Sequence, residues 1–272
     1  MRKTWFRAVL CAVLVAWAQA ASAAIPKILL VGDSWPWFMM LDQAFTTALD
    51  AAGLGDYEAV GIYTTAPGST AKQWTRERWL NKIDEQLAAY PTIDIVHLSL
   101  GGNDYLRRWS PKMKIEDRDS MFAEVRDDIE TVVKHILDAR PNVRVAIVEY
   151  DYVNARRDGG TVADLNQAGQ ILAKMKLEMS KKYDRCGYIQ DYGLMQYHFG
   201  MPPDVPPRTV PMPGQGPNFD PFPGGNKELG SPDVAMMDAI HLSPKGYHVL
   251  ALHCIDTLYR DWINNPLPLK KD

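Results

Sequence analysis

Four short stretches of this 272-residue chain carry groups that could do chemistry together, three of them through side chains and one, around Gly68, through its backbone. Gly32-Asp33-Ser34 offers a hydroxyl, and Gly101-Gly102-Asn103-Asp104 offers a carboxamide. Asp238-Ala239-Ile240-His241 offers a carboxylate three residues before an imidazole. A serine hydroxyl is a poor nucleophile until a base removes its proton. His241 is the residue type that does so near neutral pH, and a carboxylate such as Asp238 holds the ring in the needed tautomer. A tetrahedral intermediate also needs donors for its oxyanion. The Asn103 side chain and the backbone N–H groups of Ser34 and Gly68 are candidates. The chemistry such a set performs is acyl transfer.

The surrounding elements must bring these stretches to one place. Short apolar runs at 28–31, 57–63, 93–100, 143–148 and 186–189 read as strands. Stretches with helical spacing lie between them, at 39–52, 72–90, 120–139 and 161–183, and a closing helix covers 245–263. Residues 107–118 read as a polar excursion, and 264–272 as a loose tail. Strands alternating with helices predict a parallel sheet with helices on both faces. Ligands then bind outside the carboxyl ends of the strands. Ser34 follows the first strand and Asn103 the third. Residues 199–232 are dense in proline and glycine and read as a long loop, either a passive insertion or a lid.

The N-terminus reads differently. Arg2, Lys3 and Arg7 precede an apolar run from Ala8 to Trp17, and small residues follow. This is the pattern of a secretory signal peptide over residues 1–23, with cleavage before Ala24 expected and the Ala20-Ala21 bond second. Cys11 lies mid-run with no lipidation pattern around it. The mature chain, 24–272, is expected to be exported, secreted or periplasmic. No later stretch reads as a membrane span. Cys186 and Cys254 would either pair in an oxidising compartment or remain buried thiols. Net charge is −3 with no polybasic run, which argues against nucleic acid or an anionic membrane surface as a partner.

The four stretches, in this order and at these strand ends, resemble the SGNH/GDSL hydrolase family. Gly32-Asp33-Ser34 is similar to its first block, with the nucleophile at Ser34. Gly68, within Pro67-Gly68-Ser69-Thr70, is similar to its oxyanion glycine, and Gly61 competes for that position. Asn103 matches its oxyanion asparagine, and Asp238 and His241 match its Asp-x-x-His block. Trp35 stands where the family usually has leucine. The resemblance implies a three-layer α/β/α sandwich on a mostly parallel, flavodoxin-like sheet of five strands. It implies a serine esterase working without metal or cofactor on small-molecule, lipid or carbohydrate esters. An O-acyltransferase or a carbohydrate deacetylase would use the same chemistry, and a catalytically silent binding protein could share the fold.

Other residues have alternative readings. Asp238, His241 and His248 form no recognised zinc spacing. His97, His135, His198 and His253 read as structural or solvated. Trp35, Trp37, Phe38, Met39 and Met40 read as helix core or as an apolar acyl pocket. Arg107, Arg108 and Trp109 could recognise an anion or a sugar, and Glu149 and Asp151 could reach the substrate.

Overall fold

The computed structural model describes residues 24–214 and 223–268. The expected signal peptide, residues 215–222 of the proline-rich loop and residues 269–272 lie outside them. Five strands form one sheet: β1 Ile25–Gly32, β2 Tyr57–Val60, β3 Ile95–Ser99, β4 Arg144–Val148 and β5 Cys186–Ile189. All are parallel, in the order β2-β1-β3-β4-β5. The helices are α1 Ser34–Leu41, α2 Ala44–Ala51, α3 Ala71–Trp74, α4 Glu77–Ala89, α5 Gly102–Arg108, α6 Ile115–Ala139, α7 Val162–Ser180, α8 Leu194–Phe199, α9 Pro244–Cys254 and α10 Arg260–Asn264.

Side chains of a strand alternate between the two faces of its sheet. Here both faces are apolar. Leu29, Val31, Val96, Leu98, Val145 and Ile147 face a core shared with α4, α6 and α7. Ile28, Leu30, Ile95, Ala146 and Val148 face a second core shared with α1, α2 and α9. This is the expected three-layer sandwich. The strand order also fixes where a ligand can sit. The chain leaves β1 for one neighbour, β2, and then returns past it to the other, β3. Loops diverge above β1 and β3, and a crevice opens there. Gly32 lets those two strand ends meet. Its φ is +146°, and a Cβ there would lie 2.0 Å from the Ser99 carbonyl oxygen.

Several expected elements are redrawn. The helix expected over 39–52 begins at Ser34, because Asp33 caps it by accepting the Trp35 N–H at 3.1 Å. It then breaks at Gln43, whose φ is 51°. Pro36 is tolerated because first-turn N–H groups have no intrahelical acceptor. The helix expected over 72–90 divides at Thr75-Arg76 into α3 and α4. The polar excursion of 107–118 is the end of α5, a turn, and the first residues of α6. The closing helix contains a π turn, Ile255–Tyr259. Helix α8 lies in a stretch without periodic signal.

Candidate functional site

The loop after β1 delivers Ser34 as the first residue of α1, so its N–H points out of the helix without an intrahelical partner. The turn before α9 delivers Asp238 and His241. Asp238 Oδ1 accepts the N–H groups of Ile240 and His241, each at 2.7 Å, which closes the turn on itself. Met237 N–H donates to the His241 carbonyl, Ser243 N–H donates to the Ala235 carbonyl, and Ser243 caps α9. His241 Nδ1 then lies 2.8 Å from Asp238 Oδ2, and His241 Nε2 lies 2.9 Å from Ser34 Oγ. Carboxylate, imidazole and hydroxyl thus form one hydrogen-bonded line across 207 residues of sequence. Burial raises the Asp238 carboxyl, but bonds from the His241 ring and the two N–H groups outweigh it and hold the group below its ordinary value. Phe38 rests on the imidazole, with ring centroids 4.9 Å apart.

Asn103 lines the same cavity as Ser34, and the turn that holds Gly68 is tied to Asn103 through the Ser69 carbonyl. Residues Ala66 to Ser69 form a turn closed by Ser69 N–H to the Ala66 carbonyl at 3.0 Å. Pro67 occupies its second position and Gly68, with φ +75°, its third. That is a type II turn, which favours glycine at this place. Among the described residues no acceptor takes the Gly68 N–H, while its carbonyl accepts Arg107 Nη2 at 2.7 Å. Gly61 is elsewhere, packed on Leu30 of β1, with its carbonyl taken by Thr64 and Thr65. Asn103 Nδ2 donates to the Ser69 carbonyl at 3.1 Å and to Asp33 Oδ2 at 3.3 Å. An amide nitrogen has two protons, so both are engaged before any substrate arrives.

Asp33 and Tyr150 complete the site, and the motifs assigned a role to neither. Asp33 is buried, which pushes its carboxyl up to about 6 against the lowering bonds it accepts. Tyr150 follows β4; its hydroxyl donates to Asp33 Oδ2 at 2.6 Å and accepts the Gly102 N–H at 3.0 Å. Below it, Lys176 of α7 stands over the Tyr150 ring and pairs with Glu149 at 2.7 Å. Glu149 therefore belongs to a buried ion pair rather than to a substrate surface. Asp151 is likewise buried, accepting the N–H groups of Tyr152, Gly193 and Met195. An apolar strand end followed by the acidic-aromatic run Glu149-Tyr150-Asp151-Tyr152 was the available signal for Tyr150.

Ser34, Asn103 and His241 line one cavity of about 60 Å³, walled by Trp35, Tyr105, Leu106, Tyr150, Val153 and Ile240. A larger hollow of about 470 Å³, between α7 and Tyr188, Gln190 and Pro223, shares none of these residues. Trp35 is both core and cavity wall, set edge-on to Tyr150 and Tyr247. Met39 is core alone. Of the three residues 107–109, only Arg107 touches the site. Arg108 pairs with Glu124 on the surface, and Trp109 is buried. His97 is bonded to Tyr259, and its burial lowers it to about 3. His253 is buried against the Gln190 carbonyl and lowered to about 4. His135 pairs with Asp84, and His248 turns to Thr47. Among the described residues no three His, Cys, Asp or Glu side chains converge as metal ligands do.

The described parts of the 199–232 loop line no wall of the Ser34 cavity. They are tied down instead. Gly224 bonds to Tyr192 and Tyr152, and Asn226 bonds to Gln196. Ser231 N–H donates to Asn154 Oδ1, and Asn154 N–H donates to the Ala239 carbonyl. The end of the loop therefore anchors the Asp238–His241 turn.

No protein-family model matches this chain, and neither does any curated protein. Solved structures do. The psychrotrophic esterase EstA from Pseudoalteromonas sp. superimposes with a TM-score of 0.52 at 16% identity, over 88% of this chain and 99% of that one. A carbohydrate esterase family 3 structure from Talaromyces cellulolyticus gives 0.52 at 14%, over 88% and 99%. Axe2, an acetylxylan esterase from Geobacillus stearothermophilus, gives 0.52 at 13%, over 86% and 94%. The chain carries the α/β fold of SGNH/GDSL-type hydrolases, as the order of its four sequence blocks implies.

Proposed function

We propose that this protein is an exported serine esterase that cleaves carboxylic esters through an acyl-enzyme. The observation that carries the reading is the line from Asp238 Oδ2 through His241 to Ser34 Oγ, with both bonds under 3 Å. Asp238 accepts the Nδ1 proton, which leaves Nε2 free to take the Ser34 proton as Oγ attacks the ester carbonyl. The oxyanion forms against the Ser34 N–H at the start of α1, the Gly68 N–H and Asn103 Nδ2. Asn103 releases its longer bond, to Asp33, and turns that proton to the oxyanion. His241 then protonates the leaving alcohol, and a water activated by the same ring hydrolyses the acyl-enzyme. No step calls for a cofactor. Residues 24–272 act as one hydrolase unit after removal of the leader, on a small-molecule, lipid or carbohydrate ester.

Ser34→Ala tests the reading. The variant should keep the wild-type melting temperature, lose turnover of p-nitrophenyl acetate, and no longer be labelled by a fluorophosphonate. Undiminished hydrolysis by the folded variant would remove Ser34 as the nucleophile.

A further inference from the structure

We infer that Arg107 is a positioning residue for the reaction: it holds the turn that presents the Gly68 N–H to the oxyanion. This rests on the esterase reading above, in which that N–H is a donor. The turn is fixed at both ends. Ala66 N–H donates to the Gly32 carbonyl at 2.9 Å, at the end of β1. The Ser69 carbonyl accepts Asn103 Nδ2 at 3.1 Å, and the Ser69 hydroxyl accepts Trp74 Nε1 at 2.9 Å. Two residues on, Ala71 N–H donates to Asp104 Oδ2 at 2.8 Å. Between these ends stand Pro67, which has no N–H, and Gly68, the residue type with the most backbone freedom. Among the described residues the Gly68 carbonyl has one side-chain partner, Arg107 Nη2 at 2.7 Å.

Asn103 and Arg107 are four residues apart on α5, so they share a helix face. That face grips two successive carbonyls, Gly68 and Ser69. The peptide after Gly68 is held at both of its polar groups, its carbonyl by Arg107 and its N–H by the Ala66 carbonyl. Without the guanidinium, rotation about the Gly68 backbone is opposed by the turn's own bond alone, and the direction of the Gly68 N–H spreads. Oxyanion donors accelerate a reaction because they are already aimed when charge develops. The clamp is itself held. The last carbonyls of a helix have no intrahelical donor, and Arg157 donates to two of them on α5, those of Leu106 and Arg107. The Arg107 side chain is exposed, so its loss leaves the cores untouched.

The test is kcat and KM on p-nitrophenyl acetate, an uncharged ester, for the wild type, Arg107→Ala and Arg107→Lys. Labelling of Ser34 to completion by a fluorophosphonate counts the folded sites, so that kcat is expressed per site. Loss of one oxyanion donor costs about 100–1000-fold in kcat, which bounds what a residue acting through that donor can lose. Arg107→Ala should lower kcat by about 10–100-fold, with KM within about twofold of the wild type. The fluorophosphonate should label this variant more slowly by a similar factor, because its phosphonyl oxygen uses the same donors. Arg107→Lys restores a cationic donor on a long stem and should recover most of the lost kcat. An unchanged kcat in Arg107→Ala would overturn the inference and leave the esterase reading intact. So would a raised KM at unchanged kcat, which would make Arg107 a substrate contact, and so would a lysine variant no faster than the alanine one. Absence of wild-type turnover, with Ser34 unlabelled, would overturn the esterase reading and this inference with it.

Discussion

The Tyr150 hydroxyl joins the loop after β1 to the loop after β3, through Asp33 on one side and the Gly102 N–H on the other. Ionised Asp33 accepts from Tyr150, from Trp35 N–H and from Asn103, so one carboxylate sets both the start of α1 and the Asn103 side chain. Burial and nearby Asp104 raise Asp33, whereas the Tyr150 bond and Lys176 lower it. Removing the hydroxyl therefore pushes Asp33 above its value of about 6. Tyr150→Phe should reduce kcat by about 10–100-fold, the worth of a hydrogen bond to a charged group, and leave KM within about twofold. The acid limb of its pH–rate profile should move to higher pH, since Asp33 then protonates sooner as pH falls. A residue that only packs would not move that limb. A wild-type profile in Tyr150→Phe would reduce the hydroxyl to core structure.

At the level of elements, Asp104 ties α5 to α3 by accepting the Ala71 N–H at 2.8 Å. Burial raises its carboxyl to about 6, against 3.8 in the unfolded chain. The sign follows from proton uptake: the folded form binds the proton more tightly. The contribution to stability is complete below the unfolded value and is lost as pH rises through about 6. A rise from 3.8 to about 6 corresponds to about 3 kcal/mol. Asp104→Asn keeps an oxygen for Ala71 and cannot ionise. Its melting temperature should gain on the wild type as pH rises from about 4 to about 7, as thermal scans across that window will record. Parallel curves would show that Asp104 does not titrate in that range. The divided helices carry a related lesson about elements: α1 and α2 read as one from periodicity, because a single left-handed residue, Gln43, interrupts a pattern that otherwise continues.

For the molecule as a whole, the proposal of export meets a chain whose two mature thiols do not pair. Cys186 opens β5 at the sheet edge, and Cys254 ends α9 in the core. Burial pushes Cys186 up to about 12 and Cys254 well above its ordinary value, so neither is a reactive thiolate. Of the two readings of these cysteines, the structure gives the thiols. Protein collected from the exported fraction, unfolded without reductant and alkylated, should have the mass of a chain beginning at Ala24 with two alkyl groups. A mass with no alkyl group would mean a disulfide, and a mass retaining residues 1–23 would rule out cleavage of the leader. No helix among the described residues is long and apolar enough to cross a membrane.

The parts of this protein are written locally in its sequence. Apolar runs mark the three central strands, β1, β3 and β4, because burial on both faces demands hydrophobic segments. Gly-Asp-Ser, Gly-Gly-Asn-Asp and Asp-x-x-His mark three of the blocks at the site, because a turn and a reactive side chain are both local requirements. Which parts meet is set by the packing of the folded chain. Ser34 and His241 are 207 residues apart, Asp33 and Tyr150 are 117 apart, and no periodicity reaches across such gaps. The order β2-β1-β3 places the crevice, and packing sets Gly61 against Leu30 of β1 while the Gly68 carbonyl accepts Arg107. The same folding fills both Asn103 protons, buries Glu149 on Lys176, and shrinks the cavity beside Ser34 to about 60 Å³. Those features depend on how side chains from distant segments fill one volume, which no single stretch of chain specifies.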